Sequence, residues 1–247
     1  MKILVVNPNI SDSVSDLIRQ EAERAATPGT AVHVLTAPFG VAYIETRAEA
    51  AIGAYAALTL LAEHHAGHDA AIIAAFGDPG VPAAREMLDI PVIGITEAAL
   101  TSACLLGRRF SIVAISRRIT AWYRECVEYN GLISRLASIR ALDEPLDDIG
   151  AVQRDHAERV KSLCALAIDD GADVIILAGA PLAGLARRVK DEIPVPLVDG
   201  VSSAIRHAET LCRLSTGAAR AGSFAPPPRK PSRGLPPALA SLVGRSM

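Results

Sequence analysis

A chain of 247 residues, half of them hydrophobic and 21% charged, has room for one domain or two small ones and ample material for a packed core, which excludes a disordered chain. A formal net charge of −2 leaves no basic footprint for nucleic acid over the whole length. No uninterrupted apolar run approaches the roughly 18 residues of a membrane span.

The chain opens on Met1-Lys2-Ile3-Leu4-Val5-Val6, expected to form a buried strand broken by Asn7-Pro8 and too short for a signal peptide. Short apolar runs then alternate with longer helical patterns. Strands are predicted at 2–7, 31–36, 70–75, 91–95, 110–115, 137–142, 173–178 and 195–198. Helices are predicted at 11–26, 47–66, 80–88, 97–104, 117–131, 149–169, 182–190 and 200–213. Val/Ile-rich strands without alternation are buried on both faces, which implies parallel sheets joined by crossover helices.

Two stretches repeat. Gly67-His68-Asp69 leads through Ala70–Ala75 into the loop Phe76-Gly77-Asp78-Pro79, and Gly171-Ala172-Asp173 leads through Val174–Ala178 into Gly179-Ala180-Pro181, 104 residues later. Each copy is followed by an acidic-Ile-Pro-Val segment, Asp89–Val92 and Glu192–Val195. The expected fold is therefore α/β, with two pseudo-symmetric parallel-sheet halves at 1–103 and 104–200, helix 200–214 packing back on the first, and a tail at 215–247. Ligands of such sheets bind outside the carboxyl ends of the strands, here in a cleft between the halves.

The tail holds six prolines from Pro226 to Pro237, with Arg220, Arg229, Lys230 and Arg233 and no acid, a composition of extended chain. Leu235 to Val243 is apolar enough to dock on this subunit or a neighbour, and a homo-oligomer is expected. Cys104, Cys126, Cys164 and Cys212 lack ligand spacing and read as buried free thiols of a cytoplasmic protein. His64, His65 and His68 form no metal set, and no Gly-x-Ser-x-Gly, Walker or Gly-x-Gly-x-x-Gly motif occurs. No metal, nucleotide or other cofactor is expected.

Candidate ligand contacts gather at strand ends. Asn9 and Ser11 follow the first strand, as helix caps, ligand donors or both. Tyr43, Thr46 and Arg47 follow the second; Arg47 either grips a carboxylate or sits in solvent beside a helix start led by Glu45. Asp78 is either a base or, as an Asp before Pro, a turn residue; its counterpart in the second copy is Leu182. Ser116 holds in the second half the place of the Pro8-Asn9 loop.

The segments Ile3–Asn9, Phe76-Gly77-Asp78-Pro79-Gly80, Gly94-Ile95-Thr96-Glu97-Ala98 and Pro196-Leu197-Val198-Asp199-Gly200 together resemble the Asp/Glu/hydantoin racemase superfamily, and within it the hydantoin and allantoin racemases. The resemblance covers about 1–214 and implies the same two-half fold. It also implies racemisation by two cysteines, one per half, a thiolate taking the proton from one face and a thiol returning one to the other. The cysteine positions fall on Ala75 and Gly179, so two-thiol chemistry is not expected here. Ala75, Phe76, Gly77, Gly179, Ala180 and Pro181 remain as substrate contacts. Three readings follow: an isomerase whose base is Glu45, Asp78 or His33; a hydrolase, lyase or decarboxylase on the same hydantoin-like or amino-acid-derived substrates; or a non-catalytic binding paralogue.

Overall fold

The computed structural model describes residues 1–143, 148–217, 219 and 221–243; Arg220 of the tail lies outside them. Eight strands form two parallel sheets among these residues. The first contains β1 (Lys2–Asn7), β2 (Ala31–Thr36), β3 (Ala70–Ile73) and β4 (Val92–Gly94) in the order β2-β1-β3-β4. The second repeats that order with β5 (Phe110–Ala114), β6 (Leu136–Ala141), β7 (Val174–Leu177) and β8 (Leu197–Asp199), as β6-β5-β7-β8. The central strands β1, β3, β5 and β7 are buried almost throughout, which is what their unalternating apolar runs require.

Three crossover helices serve the first sheet: α1 (Asp12–Ala25), α2 (Arg47–His64) and α3 (Val81–Met87). The second has α5 (Thr120–Tyr129), α6 (Val152–Asp155), α7 (Ala157–Asp169) and α8 (Leu185–Val189). The helices that leave the last strand of each sheet, α4 (Ile95–Leu106) and α9 (Gly200–Leu214), exchange: α4 packs against β7 and β8, α9 against β3 and β4, and the two pack on each other. The exchange of α4 was not anticipated from sequence.

Both Gly-x-Asp turns do the same mechanical job. Asp69 Oδ2 accepts from the Lys2 amide (2.7 Å), and Asp173 Oδ2 accepts from the amides of Arg108 (2.9 Å) and Arg109 (2.8 Å). Each carboxylate thus fixes the start of the neighbouring central strand. Beyond the ladders, the Ala74 amide bonds to Val6 O (2.9 Å) and the Ala178 amide to Val113 O (2.8 Å), so residues 75 and 179 leave their sheets from equivalent points.

Element bounds differ from expectation where local chemistry intervenes. Pro91, Pro194 and Pro196 have no N–H for a ladder, and the strands begin after them. The expected helix 149–169 breaks at His156, whose φ and ψ are −123° and 14°; before the break, Gln153 Nε2 donates to Pro181 O (2.9 Å) and Ala183 O (2.8 Å). The tail is not extended throughout: α10 (Pro237–Val243) lies on α2 with Leu239 and Leu242 buried. None of the described helices is long and apolar enough to cross a membrane.

Candidate functional site

Ala75 and Gly179 line one small cavity, about 30 Å³, where the carboxyl ends of the two sheets meet. The first half contributes Asn9, Tyr43, Ile44, Ala74, Ala75 and Phe76. The second contributes Ile115, Tyr123, Gly179, Ala180 and Pro181.

Asn9 is fixed by its own loop. Its Oδ1 accepts from the Ser11 amide (2.9 Å) and from Asn7 Nδ2 (3.0 Å), an Asx arrangement that leaves its amide N–H groups for the cavity it lines. Ser11 caps α1, accepting from the Val14 amide (3.4 Å). Gly179 takes φ +108° and ψ 143°, a conformation essentially confined to glycine, and this turns the chain sharply off β7 toward the cavity. A Cβ there would meet only Pro181 Cδ at 3.5 Å and Tyr123 Oη at 4.0 Å, so the constraint is on the backbone and not on space.

Two phenols face this space. Tyr123, at the start of α5, packs on Phe76 with ring centroids 4.6 Å apart. Burial first, then the charges of Cys126, Asp78 and Glu45, drive its phenol far above the usual tyrosine range. Tyr43 shifts the same way through burial and the charges of Glu45 and Glu49. Both phenols therefore stay protonated as hydrogen-bond donors at neutral pH. The cavity lining contains no carboxylate, imidazole or thiol.

Several expected contacts lie elsewhere. Thr46 caps α2 in a reciprocal box, accepting from the Glu49 amide while Glu49 Oε2 accepts from the Thr46 amide (2.9 Å). Arg47 spans the halves to make a two-pronged, exposed ion pair with Glu125, Nε to Oε2 at 2.9 Å. Ser116 caps a 3₁₀ turn by accepting from the Arg118 amide (3.2 Å). His33 sits on β2 and stacks with His68, away from the cavity lining. Glu45 lies outside the lining, yet its charge reaches both phenols.

Asp78 and Gly77 turn to a second cavity across Phe76. Asp78, at φ +50°, accepts from the amides of Thr96 and Glu97 (both 2.8 Å) and so caps α4. Burial pushes its carboxyl up to about 7, the Glu97 charge adds to this, and the two amides oppose it. Tyr123 was missed from sequence because it sits inside a helical pattern. In a chain with 4% aromatics, the adjacent pair Trp122-Tyr123 just after a strand-end loop was the available signal.

A family model described as Asp/Glu/Hydantoin racemase matches residues 3–208. The chain is 34% identical over 238 residues to a hydantoin racemase of Paenarthrobacter aurescens, covering 93% of this chain and 99% of the relative. Among solved structures it superposes on an allantoin racemase from Klebsiella pneumoniae with TM-score 0.93 and 34% identity, covering 98% and 99% of the two chains. The allantoin racemase of Pseudomonas fluorescens gives TM-score 0.88 and 32% identity, covering 95% and 100%.

Proposed function

The chain belongs to the Asp/Glu/hydantoin racemase family, and on that premise we propose that it binds a hydantoin-like or amino-acid-derived molecule between Ala75 and Gly179 and moves the proton on the carbon beside its carbonyl group. The observation that carries this reading is that two equivalent strand ends, one per half, line one cavity with neutral donors around it. Inverting a carbon needs access to both of its faces, and a two-sided cleft gives it.

Ala75 and Gly179 have no proton to exchange, so the chemistry is assigned to neighbouring groups. Removing the proton leaves the electron pair on the carbonyl oxygen as an enolate. The phenols of Tyr43 and Tyr123 and the Asn9 amide are the donors assigned to that oxygen. Glu45, the carboxylate whose charge reaches both phenols, is assigned as proton acceptor through one intervening water. A water on the opposite face returns a proton to the carbon, and the hydroxide so formed takes up the proton held by Glu45, which gives the other enantiomer and restores the site.

The test is incubation of a single enantiomer of a 5-substituted hydantoin in heavy water. Deuterium uptake at the ring carbon with loss of optical activity is expected. Ring opening or decarboxylation without scrambling points to another reaction, and tight binding without turnover to a binding protein. Glu45→Gln is expected to slow exchange by about 10²–10⁴; exchange at the unaltered rate removes Glu45 from the mechanism.

A further inference from the structure

Helix α1 of the first half meets α6, α8 and the loop before α8 of the second around a cavity of about 280 Å³. It shares no lining residue with the Ala75–Gly179 cavity. Three of its lining side chains are arginines, Arg24, Arg187 and Arg188, and its one carboxylate is Glu21. Arg24 is committed to Glu21: its Nε donates to both carboxylate oxygens (3.1 and 3.0 Å), and its Nη2 and Ser202 Oγ donate to Oε1. Burial opposes the Glu21 charge, but the bonds from Arg24 and Ser202 outweigh it and hold the carboxyl below its ordinary range. The other two arginines have no such partner. Arg187 Nη2 stands 3.7 Å from Glu21 Oε2, beyond hydrogen-bond reach, and Arg187 donates to no described residue. Arg188 Nη2 donates to the neutral side-chain oxygen of Gln153 and forms no ion pair among the described residues. Asp199, whose charge reaches Arg24, does not line the cavity, and its oxygens are held by the Gly184 (2.7 Å) and Ser202 (2.8 Å) amides.

We propose that this cavity binds a phosphate group, free or carried by a small molecule, and that Arg187 and Arg188 grip it. Two guanidiniums without a carboxylate partner match a doubly charged anion, and a phosphate monoester carries about −1.5 to −2 near neutral pH. The two arginines are consecutive on α8, so their side chains leave the helix about 100° apart. Arg187 turns toward Glu21 on α1 and Arg188 toward Gln153 on α6, so they reach an anion from two directions. A tetrahedral phosphate offers oxygens in several directions, whereas a flat carboxylate offers two in one plane. Gln153 is itself buried and anchored, since its Nε2 donates to Pro181 O (2.9 Å) and Ala183 O (2.8 Å). Arg188 is therefore held at the cavity by a fixed group. The volume is close to the lower end of small-ligand pockets, about 300–1,000 Å³, which leaves room for phosphate and a short organic group.

Isothermal titration of the full chain with inorganic phosphate, glycerol 3-phosphate and succinate tests this, at constant ionic strength and about pH 8, where the phosphate group is doubly charged. Phosphate is expected to bind with a Kd of about 1 mM or tighter, and succinate about tenfold more weakly or worse. Arg187→Gln and Arg188→Gln are each expected to weaken phosphate about tenfold or more, the loss of a charge-assisted hydrogen bond. Arg124→Gln, which removes an exposed pair with Glu128 outside the cavity, is expected to leave phosphate binding unchanged. Arg187 is half-exposed and donates no hydrogen bond to a described residue, so Arg187→Gln keeps the fold and decides alone if Arg188→Gln melts early. Glycerol 3-phosphate binding more tightly than phosphate identifies an organic ester as the occupant, and equal binding identifies free phosphate. No saturable phosphate binding in the millimolar range, unchanged phosphate affinity in Arg187→Gln, or succinate binding as tightly as phosphate overturns the proposal.

Discussion

Installing side chains at residues 75 and 179 separates the geometry of this site from its chemistry. At Gly179 an added Cβ meets nothing closer than 3.5 Å, so a substitution there costs backbone strain and little else. Holding an L-residue at φ +108°, ψ 143° costs about 1–3 kcal/mol. For a chain of this size that lowers Tm by roughly 2–12 °C. Gly179→Ala and Gly179→Cys are therefore expected to lose similar stability, while Ala75→Cys, which adds one sulfur beside a small cavity, stays near the parent. Differential scanning calorimetry reads the three melting points. With a thiol on each side, the double variant Ala75→Cys/Gly179→Cys is expected to raise deuterium exchange at the hydantoin ring carbon by about 10²–10⁴, the span of one acid–base contribution, and either single variant by far less. A Gly179→Ala protein that melts with the parent refutes the strain argument. A double variant that exchanges no faster than the parent refutes the placement of the reacting carbon between these two residues.

Two other perturbations test neighbouring assignments. Asp78→Asn keeps one acceptor but turns an amide N–H₂ toward the second amide of α4, and is expected to cost about 1–3 kcal/mol in chemical denaturation. Because the folded carboxyl titrates near 7, above its ordinary 3.8, the native state holds the extra proton between those values and loses stability as pH rises through them. The gap between parent and Asp78→Asn should then narrow from pH 4 to pH 7 and stay constant above; a gap that widens over that range contradicts the raised pKa. Arg47→Ala removes one partner of an exposed pair and is expected to change stability by less than about 1 kcal/mol, and to leave hydantoin affinity unchanged; a tenfold loss of affinity would restore Arg47 to the binding site.

The frame was legible because it rests on local signals. Apolar runs such as Ile3–Val6 and Val174–Leu177 mark central strands by themselves, and the repeated Gly-x-Asp turn marks two halves of one design. Asn9, Tyr43, Ala75 and Gly179 were found by the same route, since strand ends are where parallel sheets expose their loops. What escaped depends on contacts between segments remote in sequence. Arg47 meets Glu125 across 78 positions, and Thr96 and Glu97 meet Asp78 across 18 and 19. Neither pairing leaves a trace in spacing. Tyr123 enters the site because the halves face each other, so its helical pattern alone could not reveal it.

The two halves also account for the carboxylate of Asp78. In the second half the helix after the last strand is capped by its own Asp199, which accepts from the Ser202 amide (2.8 Å) and also from the Gly184 amide (2.7 Å) in the strand-end loop. One carboxylate ties loop to helix. In the first half the corresponding cap residue is Gly94, and the carboxylate comes from the opposite partner: Asp78 in the loop reaches the amides of α4. Gly94 is what makes the exchange possible, since a Cβ there would lie 2.1 Å from Asp78 Cγ. Burial raises the carboxyl pKa at both places, as expected of two solutions to one structural need. Leu182, the counterpart of Asp78, needs no carboxylate because Asp199 already supplies it. Asp78 is thus accounted for by the fold, with both oxygens committed to α4. Glu45 has no such counterpart duty and lies within electrostatic reach of both phenols, the two observations on which its proposed role in proton transfer rests.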